Sequence, residues 1–150
     1  MKFSKWNLFN LSLSFLILLP TLSHSLCTQS QTTHLRAGPS ITYPVTWSVY
    51  KNMPLRKIDE ESVWIYVKDV DGDFHWVNRE DVDERSCAVV KVKEVNLRTG
   101  PGNQYRLVSF FPKAEKYTTF EVLSTQGKWA LLRDDDNDRY WVYRPLIWIQ

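Results

Sequence analysis

Histidine, cysteine and serine motifs are too scarce in this sequence to build a catalytic site. Of its three histidines, only His34 and His75 lie beyond the first 25 residues, and neither stands in a metal-ligand spacing. No serine lies in a Gly-x-Ser-x-Gly motif. A nucleophile, a base and an orienting group cannot all be named, so the sequence predicts no enzyme, no metal and no cofactor.

The amino-terminal segment has the composition of a targeting sequence. Two lysines precede an apolar stretch over residues 8–19, which polar residues interrupt and a proline and small polar residues follow. This order is typical of a secretory signal peptide, and we assign residues 1–25 to it, with cleavage after Ser25 because Ser23 and Ser25 are small. A membrane anchor is the less favoured alternative, since about 20 apolar residues are needed to cross a bilayer.

Neither positive nor negative charge is in excess once that segment is removed. Beyond residue 25 the chain carries 17 basic and 17 acidic side chains. Such a balance produces no field over the whole molecule that would capture nucleic acid or an anionic membrane. We therefore expect a periplasmic or secreted product with no nucleic-acid partner and no stable membrane insertion.

The only two cysteines of the chain, Cys27 and Cys87, both lie beyond the signal peptide. In an exported protein such a pair is usually bridged, and closing that loop stabilises a fold by about 4 kcal/mol. Two free thiols are the alternative. Lipidation of Cys27 is disfavoured because Leu26, which precedes it, is not small.

The chain repeats itself with a period of about 60 residues, which indicates an internal duplication. A shift of 62 aligns the first half with the second at Leu35, Arg36, Gly38, Pro39, Tyr43 and Lys51, which meet Leu97, Arg98, Gly100, Pro101, Tyr105 and Lys113. After an inferred three-residue insertion near Gly127, a shift of 65 aligns Trp64, Asp69, Asp71, Asp73, Trp76, Val77 and Arg79 with Trp129, Asp134, Asp136, Asp138, Trp141, Val142 and Arg144. We expect one unit over residues 26–86 and a second over 87–150.

The sequence of each unit predicts short strands and almost no helix. Runs rich in β-branched and aromatic residues occur at 62–68, 74–78, 117–123, 128–133 and 139–143. No window has a long period of 3.6 residues. Turn signals separate the runs, and a sheet this small is protected best by closing into a barrel. The sequence thus predicts an all-β protein of two small barrels.

The repeated pattern resembles the bacterial SH3-like domain. Its elements are Leu-Arg-x-Gly-Pro-x-x-x-Tyr, an apolar strand, Trp-x-x-Val at 64–67, an acidic hairpin and Trp-Val at 76–77, and the second copy repeats them from Asn96 to Leu146. The resemblance implies two tandem SH3-like barrels, each with a long loop after an early strand. We expect Arg36 and Arg98 to brace that loop, and Tyr43 and Tyr105 to pack along its side. His75 and Tyr140 depart from the family, which usually has glycine there.

Two site hypotheses are weak on sequence grounds. Cys87 could pair with a histidine as a thiol nucleophile, but it has a partner in Cys27, and neither histidine recurs in the other repeat. The hairpin at 69–80 has acids at positions one, three, five and twelve, as a calcium loop does. Its glycine, however, is at position four instead of six, so a solvated turn is the favoured interpretation.

Aromatic residues are the remaining candidates for a binding surface. Strand alternation places Trp64 and Tyr66 opposite Ile65 and Val67, and Trp129 opposite Ala130 and Leu132. We expect Trp64 and Trp129 to face outward, and Trp76 and Trp141 to lie in the core. Exposed rigid rings favour recognition. The candidate ligand-binding residues are Arg36, Tyr43, Trp64, Tyr66, Arg98, Tyr105 and Trp129.

The resemblance implies a non-catalytic, exported module of the bacterial cell envelope that recognises peptidoglycan or an envelope protein. Proline-rich ligands are a weaker hypothesis, because acidic charge is not concentrated on the loop. Two alternatives stay open. A structural scaffold would bury Trp64 and Trp129 against each other between clasped barrels. A calcium-dependent adhesin would gain stability when the metal is added.

Overall fold

Short antiparallel strands make up most of the molecule, as the sequence predicts. The structure is a computed structural model that describes residues 25–150, so the predicted signal peptide lies outside it, apart from Ser25. The first sheet comprises β1 (Ser25–Thr28), β2 (Thr32–Arg36), β3 (Val45–Tyr50), β4 (Pro54–Glu61), β5 (Trp64–Lys68), β6 (Phe74–Asn78) and β7 (Val82–Asp83). The remaining strands are β8 (Cys87–Val90), β9 (Glu94–Asn96), β10 (Lys113–Glu115), β11 (Thr119–Gln126), β12 (Trp129–Arg133), β13 (Arg139–Tyr143) and β14 (Ile147–Ile149).

Residues 25–83, here called module 1, form one sheet with the strand order β3-β2-β6-β5-β4-β1-β7. The central hairpin β5–β6 turns at Gly72, whose φ of +97° is open to glycine at no steric cost. One side of every strand faces a shared core, because side chains alternate along a strand. That core contains Leu26, Leu35, Val49, Met53, Leu55, Ile65, Val67, Val77 and Val82.

Residues 87–149, here called module 2, repeat the arrangement with two sheets, ordered β13-β12-β11-β8-β14 and β10-β9. A backbone bridge from Arg98 to Trp141 joins the smaller sheet to β13, as the pairing of Arg36 with Trp76 joins β2 to β6 in module 1. The core of module 2 contains Ala88, Val90, Val95, Leu97, Ala114, Phe120, Ala130, Leu132, Tyr140, Val142 and Ile147.

The strand registers show that the three-residue insertion does not lie near Gly127, where the sequence alignment places it. Thr33 pairs with Val49 in module 1, whereas Val95 pairs with Ala114 in module 2. The extra residues therefore lie between β9 and β10, and the predicted match of Lys51 with Lys113 is wrong. They bulge outward because Leu97 hydrogen-bonds to Val108 on one side of the bulge and to Pro112 on the other. Sequence identity at two lysines carries less register information than backbone pairing.

A buried disulfide and shared apolar packing hold the two modules together, and we call this contact between them the clasp. Cys27 of β1 and Cys87 of β8 are bridged, with a Cα–Cα distance of 6.0 Å, and both are buried. The disulfide expectation is thereby confirmed. Val89 of β8 is fully buried within the core of module 1, and Trp148 of β14 packs against the same core. The first strand and the last strand of module 2 thus complete the hydrophobic interior of module 1.

Polar contacts extend the clasp at its edge. The Tyr117 hydroxyl donates to Asp71 Oδ2 at 2.6 Å, and Lys116 Nζ lies 3.0 Å from Asp71 Oδ1. The Thr119 hydroxyl donates to the Lys51 carbonyl oxygen at 2.6 Å. These bonds join the β5–β6 hairpin to the segment before β11, and the residue after β3 to the first residue of β11.

We expect the Tyr117→Phe variant to raise the pKa of Asp71. In the folded protein the Tyr117 hydrogen bond, followed by Lys116, holds the pKa of Asp71 below its ordinary value of 3.8. A lowered pKa stabilises the fold above the ordinary value, and this contribution is lost as pH falls through the lowered folded value. Carboxyl NMR titration of both proteins measures the change directly. An unchanged Asp71 pKa in the variant would show that the hydroxyl does not form this bond in solution.

Within residues 25–150, no helix is long and apolar enough to cross a lipid bilayer. The helical residues described there are two 3-10 turns, Arg79–Asp81 and Arg144–Leu146. Each of them precedes the strand that closes its module.

Candidate functional site

The repeated Leu-Arg-x-Gly-Pro motif forms a folded-back loop in each module, and its arginine braces it. Arg36 Nη1 donates to the Tyr43 carbonyl oxygen at 2.9 Å, and Arg98 Nη1 donates to the Tyr105 carbonyl oxygen at 2.8 Å. Each guanidinium also donates to a second carbonyl of its own loop. The predicted bracing role is confirmed, and it leaves the other guanidinium nitrogens of Arg36 and Arg98 for a ligand.

The loop tyrosines pack against the motif glycines, as predicted. A Cβ atom added to Gly38 would lie 2.6 Å from the Tyr43 ring, and one added to Gly100 would lie 2.2 Å from the Tyr105 ring. Both contacts are closer than any real Cβ contact, so only glycine permits this approach. Tyr43 and Tyr105 remain 46% and 41% exposed, so the free side of each ring can contact a ligand.

The Gly100→Ala variant is expected to destabilise module 2 by about 1–3 kcal/mol, because the new methyl group overpacks against the Tyr105 ring. If the clash lies in that ring, most of the loss disappears in the Tyr105→Ala background. A double-mutant cycle by urea unfolding isolates the coupling. Additive losses in the cycle would contradict this origin.

A groove of about 480 Å³ opens beside this loop in module 2. Trp129, half-buried, forms one wall with Tyr143, the ring centroids being 5.5 Å apart. Arg98 and Lys128 also line the groove. None of its described lining residues is acidic. The tip of the loop also lines the groove, and it carries the amide residues Asn103 and Gln104.

The groove brings together two kinds of recognition chemistry. Flat aromatic rings offer a large contact area at low entropic cost, while side-chain amides and backbone groups can pair with a peptide. Lys128 and Arg98 add positive charge without a neighbouring acid in the described lining. The arrangement suits an extended ligand that carries amide groups and at least one carboxylate.

The equivalent tryptophan of module 1 is not available in the same way. Trp64 is only 9% exposed, so the prediction that it faces solvent is wrong. On the neighbouring strands, Trp64 lies opposite Glu61 and Asn78. Trp129 lies opposite Gln126 and Tyr143. Strand alternation fixes the face on which a side chain lies, but it does not tell whether a loop covers that face.

The core assignment of Trp76 and Trp141 is also wrong, because both are half-buried. Their neighbours Val77 and Val142 are fully buried instead. Adjacent residues of a strand point to opposite faces, so a buried valine requires the tryptophan before it to face outward.

Tyr66 lies on the outer face of module 1, away from the groove of module 2. Its ring packs between Phe74, with centroids 5.5 Å apart, and Trp76, with centroids 5.0 Å apart. The sequence analysis does not group these three rings, because it places Trp76 in the core. The binding roles of Tyr66 and of the other candidate residues stay predictions.

The acidic hairpins use their first aspartate to hold the turn. Asp69 Oδ1 accepts bonds from the backbone N–H groups of residues 71–73, and Asp69 Oδ2 lies 3.0 Å from His75 Nε2. In module 2, Asp134 Oδ2 accepts a bond from the Tyr140 hydroxyl at 2.8 Å. Burial, and then Asp134, raise the pKa of Tyr140, so this hydroxyl stays a donor. His75 and Tyr140 therefore each supply a partner for the first aspartate of their own hairpin.

Neither of the weaker chemical hypotheses finds a site in the described chain. Residues 25–150 contain no group of three or more His, Cys, Asp or Glu side chains placed to hold a metal ion. The bridge between Cys27 and Cys87 leaves neither sulfur as a thiol, so the hypothesis of a cysteine nucleophile is wrong.

A model of the bacterial SH3 domain matches residues 29–84 and again residues 91–148. The chain therefore belongs to the bacterial SH3 domain family, and it contains two tandem copies, as the sequence predicts.

Solved structures that align with this chain include an NlpC/P60 family protein from Bacillus cereus. It shares 8% identity with this chain at a TM-score of 0.39, and the alignment covers 84% of this chain and 56% of that one. NlpC1 from Trichomonas vaginalis shares 9% identity at a TM-score of 0.37, over 83% of this chain and 45% of that one. The chain thus spans about half the length of these proteins. Among curated proteins, none matches it.

Proposed function

We propose that this protein is a non-catalytic binding module of the bacterial cell envelope, and that module 2 binds peptidoglycan through the groove beside Trp129. The observation that carries the proposal is the groove itself, which combines an aromatic wall, side-chain amides and two cations. Peptidoglycan peptides supply what these groups need, namely a chain of amides and free carboxylates.

Membership of the bacterial SH3 family supports an envelope ligand, and the disulfide supports the compartment. A buried bridge between Cys27 and Cys87 fits an extracellular or envelope protein, since such bonds persist where the environment is oxidising. We propose a periplasmic or secreted location on that basis.

The two modules contribute unequally to binding in this proposal. Trp129 is half-buried and lines an open groove, whereas Trp64 is 9% exposed. Module 1 then serves to hold module 2 rigid through the clasp, because Val89 and Trp148 of module 2 pack into the core of module 1. A rigid groove loses less entropy when it binds a ligand.

Sedimentation with insoluble peptidoglycan tests the proposal. Wild-type protein of residues 26–150 should be retained, and Lys128→Glu and Trp129→Ala should each lower retention. Lys128 is exposed, so its charge reversal leaves the fold intact. Trp76→Ala is the matched control, because it removes a half-buried tryptophan from the outer face of module 1. All variants are first checked by thermal unfolding.

Failure of the wild type to sediment would sink the peptidoglycan proposal. The clasp between the modules would then favour the second candidate, a scaffold that binds an envelope protein. Equal loss of retention in the folded Trp76→Ala and Trp129→Ala proteins would move the binding surface away from the groove of module 2.

A further inference from the structure

A second groove, of about 540 Å³, lies between the two modules. Its aromatic walls come from Trp47 and Tyr50 at β3 and from Tyr117 before β11. The Trp47 and Tyr117 rings meet edge to face, with centroids 5.3 Å apart. Tyr50 is 72% exposed, while Met53, which also lines the groove, is buried. The groove exists only because the clasp holds both modules in place.

Acidic residues dominate the charge around this groove. Asp134, Asp135, Asp136 and Glu115 line it, together with Lys116. Lys116 is paired with Asp71 of module 1, and Lys51, at the edge, is paired with Asp135 at 3.2 Å. Both cations are therefore neutralised by carboxylates. Asp136 is exposed and has no ion-pair partner among the described residues, so a net negative charge remains.

A buried amide beside the groove has an acceptor without a donor. Asn52 is 4% exposed, and its Nδ2 donates to Asp135 Oδ1 at 3.2 Å. Its Oδ1 has no hydrogen-bond partner among the described residues. The amide cannot be turned around, because its oxygen would then face a carboxylate oxygen. The Nδ2 bond of this buried amide helps to hold Asp135 in place at the groove.

The groove already contains one cation–π contact. Lys116 Nζ lies 4.5 Å from the centroid of the Tyr117 ring, where the negative face of the aromatic ring attracts positive charge. The combination of aromatic faces and a free carboxylate suits a positively charged group that has an aliphatic stem.

We propose that the groove between the modules binds a basic side chain, lysine or arginine, presented by a protein partner. Trp47 and Tyr50 contact the aliphatic stem, and Asp136 pairs with the charged end. The chemistry is opposite in sign to that of the groove beside Trp129, so this site is independent of the proposed peptidoglycan site. A chain with both grooves can hold the wall and a basic protein at once.

The test is an NMR titration of residues 26–150 that follows the Trp47 indole N–H signal. The probe is a capped hexapeptide of alternating glycine and lysine, and the control peptide has norleucine in place of lysine, which keeps the stem and removes the charge. The lysine peptide should shift the Trp47 signal, and the norleucine peptide should bind at least about tenfold more weakly. Putrescine, a free diamine, should bind more weakly than the lysine peptide.

Two variants locate the site. Asp136→Asn and Tyr50→Ala alter exposed side chains, and each should weaken the lysine peptide about threefold, in line with exposed ion pairs and cation–π contacts. Glu80→Gln is the matched control for charge and should bind as the wild type does. All three should sediment normally with peptidoglycan, which separates failure here from failure of the proposed function.

Three results would overturn the proposal: equal binding of the norleucine and lysine peptides, equal weakening by Glu80→Gln and Asp136→Asn, or no shift of Trp47. Equal affinity for putrescine and the peptide would overturn the assignment to a protein partner.

Discussion

Breaking the Cys27–Cys87 bridge is expected to lower the free energy of unfolding by about 4 kcal/mol, because the bridge closes a loop whose ends are 60 residues apart. A domain of this size is stable by only about 5–15 kcal/mol, so the loss is a large share of the total. The bridge also holds β1 against β8, the strand that supplies Val89 to the core of module 1.

Urea unfolding of the oxidised and the reduced wild-type protein measures this loss on an unchanged sequence. The Cys27→Ala/Cys87→Ala variant checks that the reductant itself is not responsible. A difference below about 1 kcal/mol would mean that the unfolded chain is already restricted, and that the chain-entropy account of the bridge fails here.

The Phe120→Ala variant is expected to lower the free energy of unfolding by about 3–5 kcal/mol. Phe120 is 2% exposed, pairs with Ala88 across β11 and β8, and meets the Tyr140 ring edge to face at 6.2 Å. Few neighbours can move to fill the space, because β8 is fixed on its other side by β14. The variant therefore leaves a cavity in the centre of module 2.

Hydrogen exchange should show the damage in both modules. Val89 of β8 lies in the core of module 1, so module 2 cannot open without exposing that core. We expect amides of β4 and β5 to exchange faster in Phe120→Ala, along with those of module 2. Phe110→Ala is the matched control: Phe110 is 85% exposed, and its removal should change stability by less than about 0.5 kcal/mol. Unchanged exchange in module 1 would show that the modules unfold separately.

The fold could be predicted from the sequence because its signals are local and occur twice. The motif that begins at Leu35 and returns at Leu97 fixes the loop, and the alternation around Val67 and Leu132 fixes which faces form the cores. Both are consequences of backbone geometry at single strands and turns. The bracing arginines followed from the same loop.

Features that depend on pairing between distant strands could not be read in the same way. The insertion was assigned near Gly127 because identical residues were aligned, but backbone pairing of Val95 with Ala114 decides the register. The expectation that Trp76 and Trp141 lie in the core rests on their place beside the valine after the hairpin, but those valines are the buried residues. The register of a strand, and which of its two faces is buried, depend on the strand with which it pairs.

The candidate site was predicted in part. Arg98 and Trp129 line one groove, as their selection implied, whereas Lys128 and Gln104 were missed because exposed polar residues carry no pattern in a single sequence. Strand alternation places Trp64 opposite Ile65 and Val67, but it does not describe what covers that face, and Trp64 is only 9% exposed. The groove between the modules forms only because the clasp holds them together. The Cys27–Cys87 pair is the one sequence signal that indicates this contact.

The central claim, that module 2 alone offers the wall-binding groove, is tested most directly by NMR. Backbone and indole N–H signals of residues 26–150 are followed while soluble peptidoglycan fragments are added. The account predicts that shifts cluster at the Trp129 indole, Lys128 and residues 101–104, and that the Trp64 indole stays unchanged. Shifts centred on Trp64, or none anywhere at millimolar fragment, would contradict it.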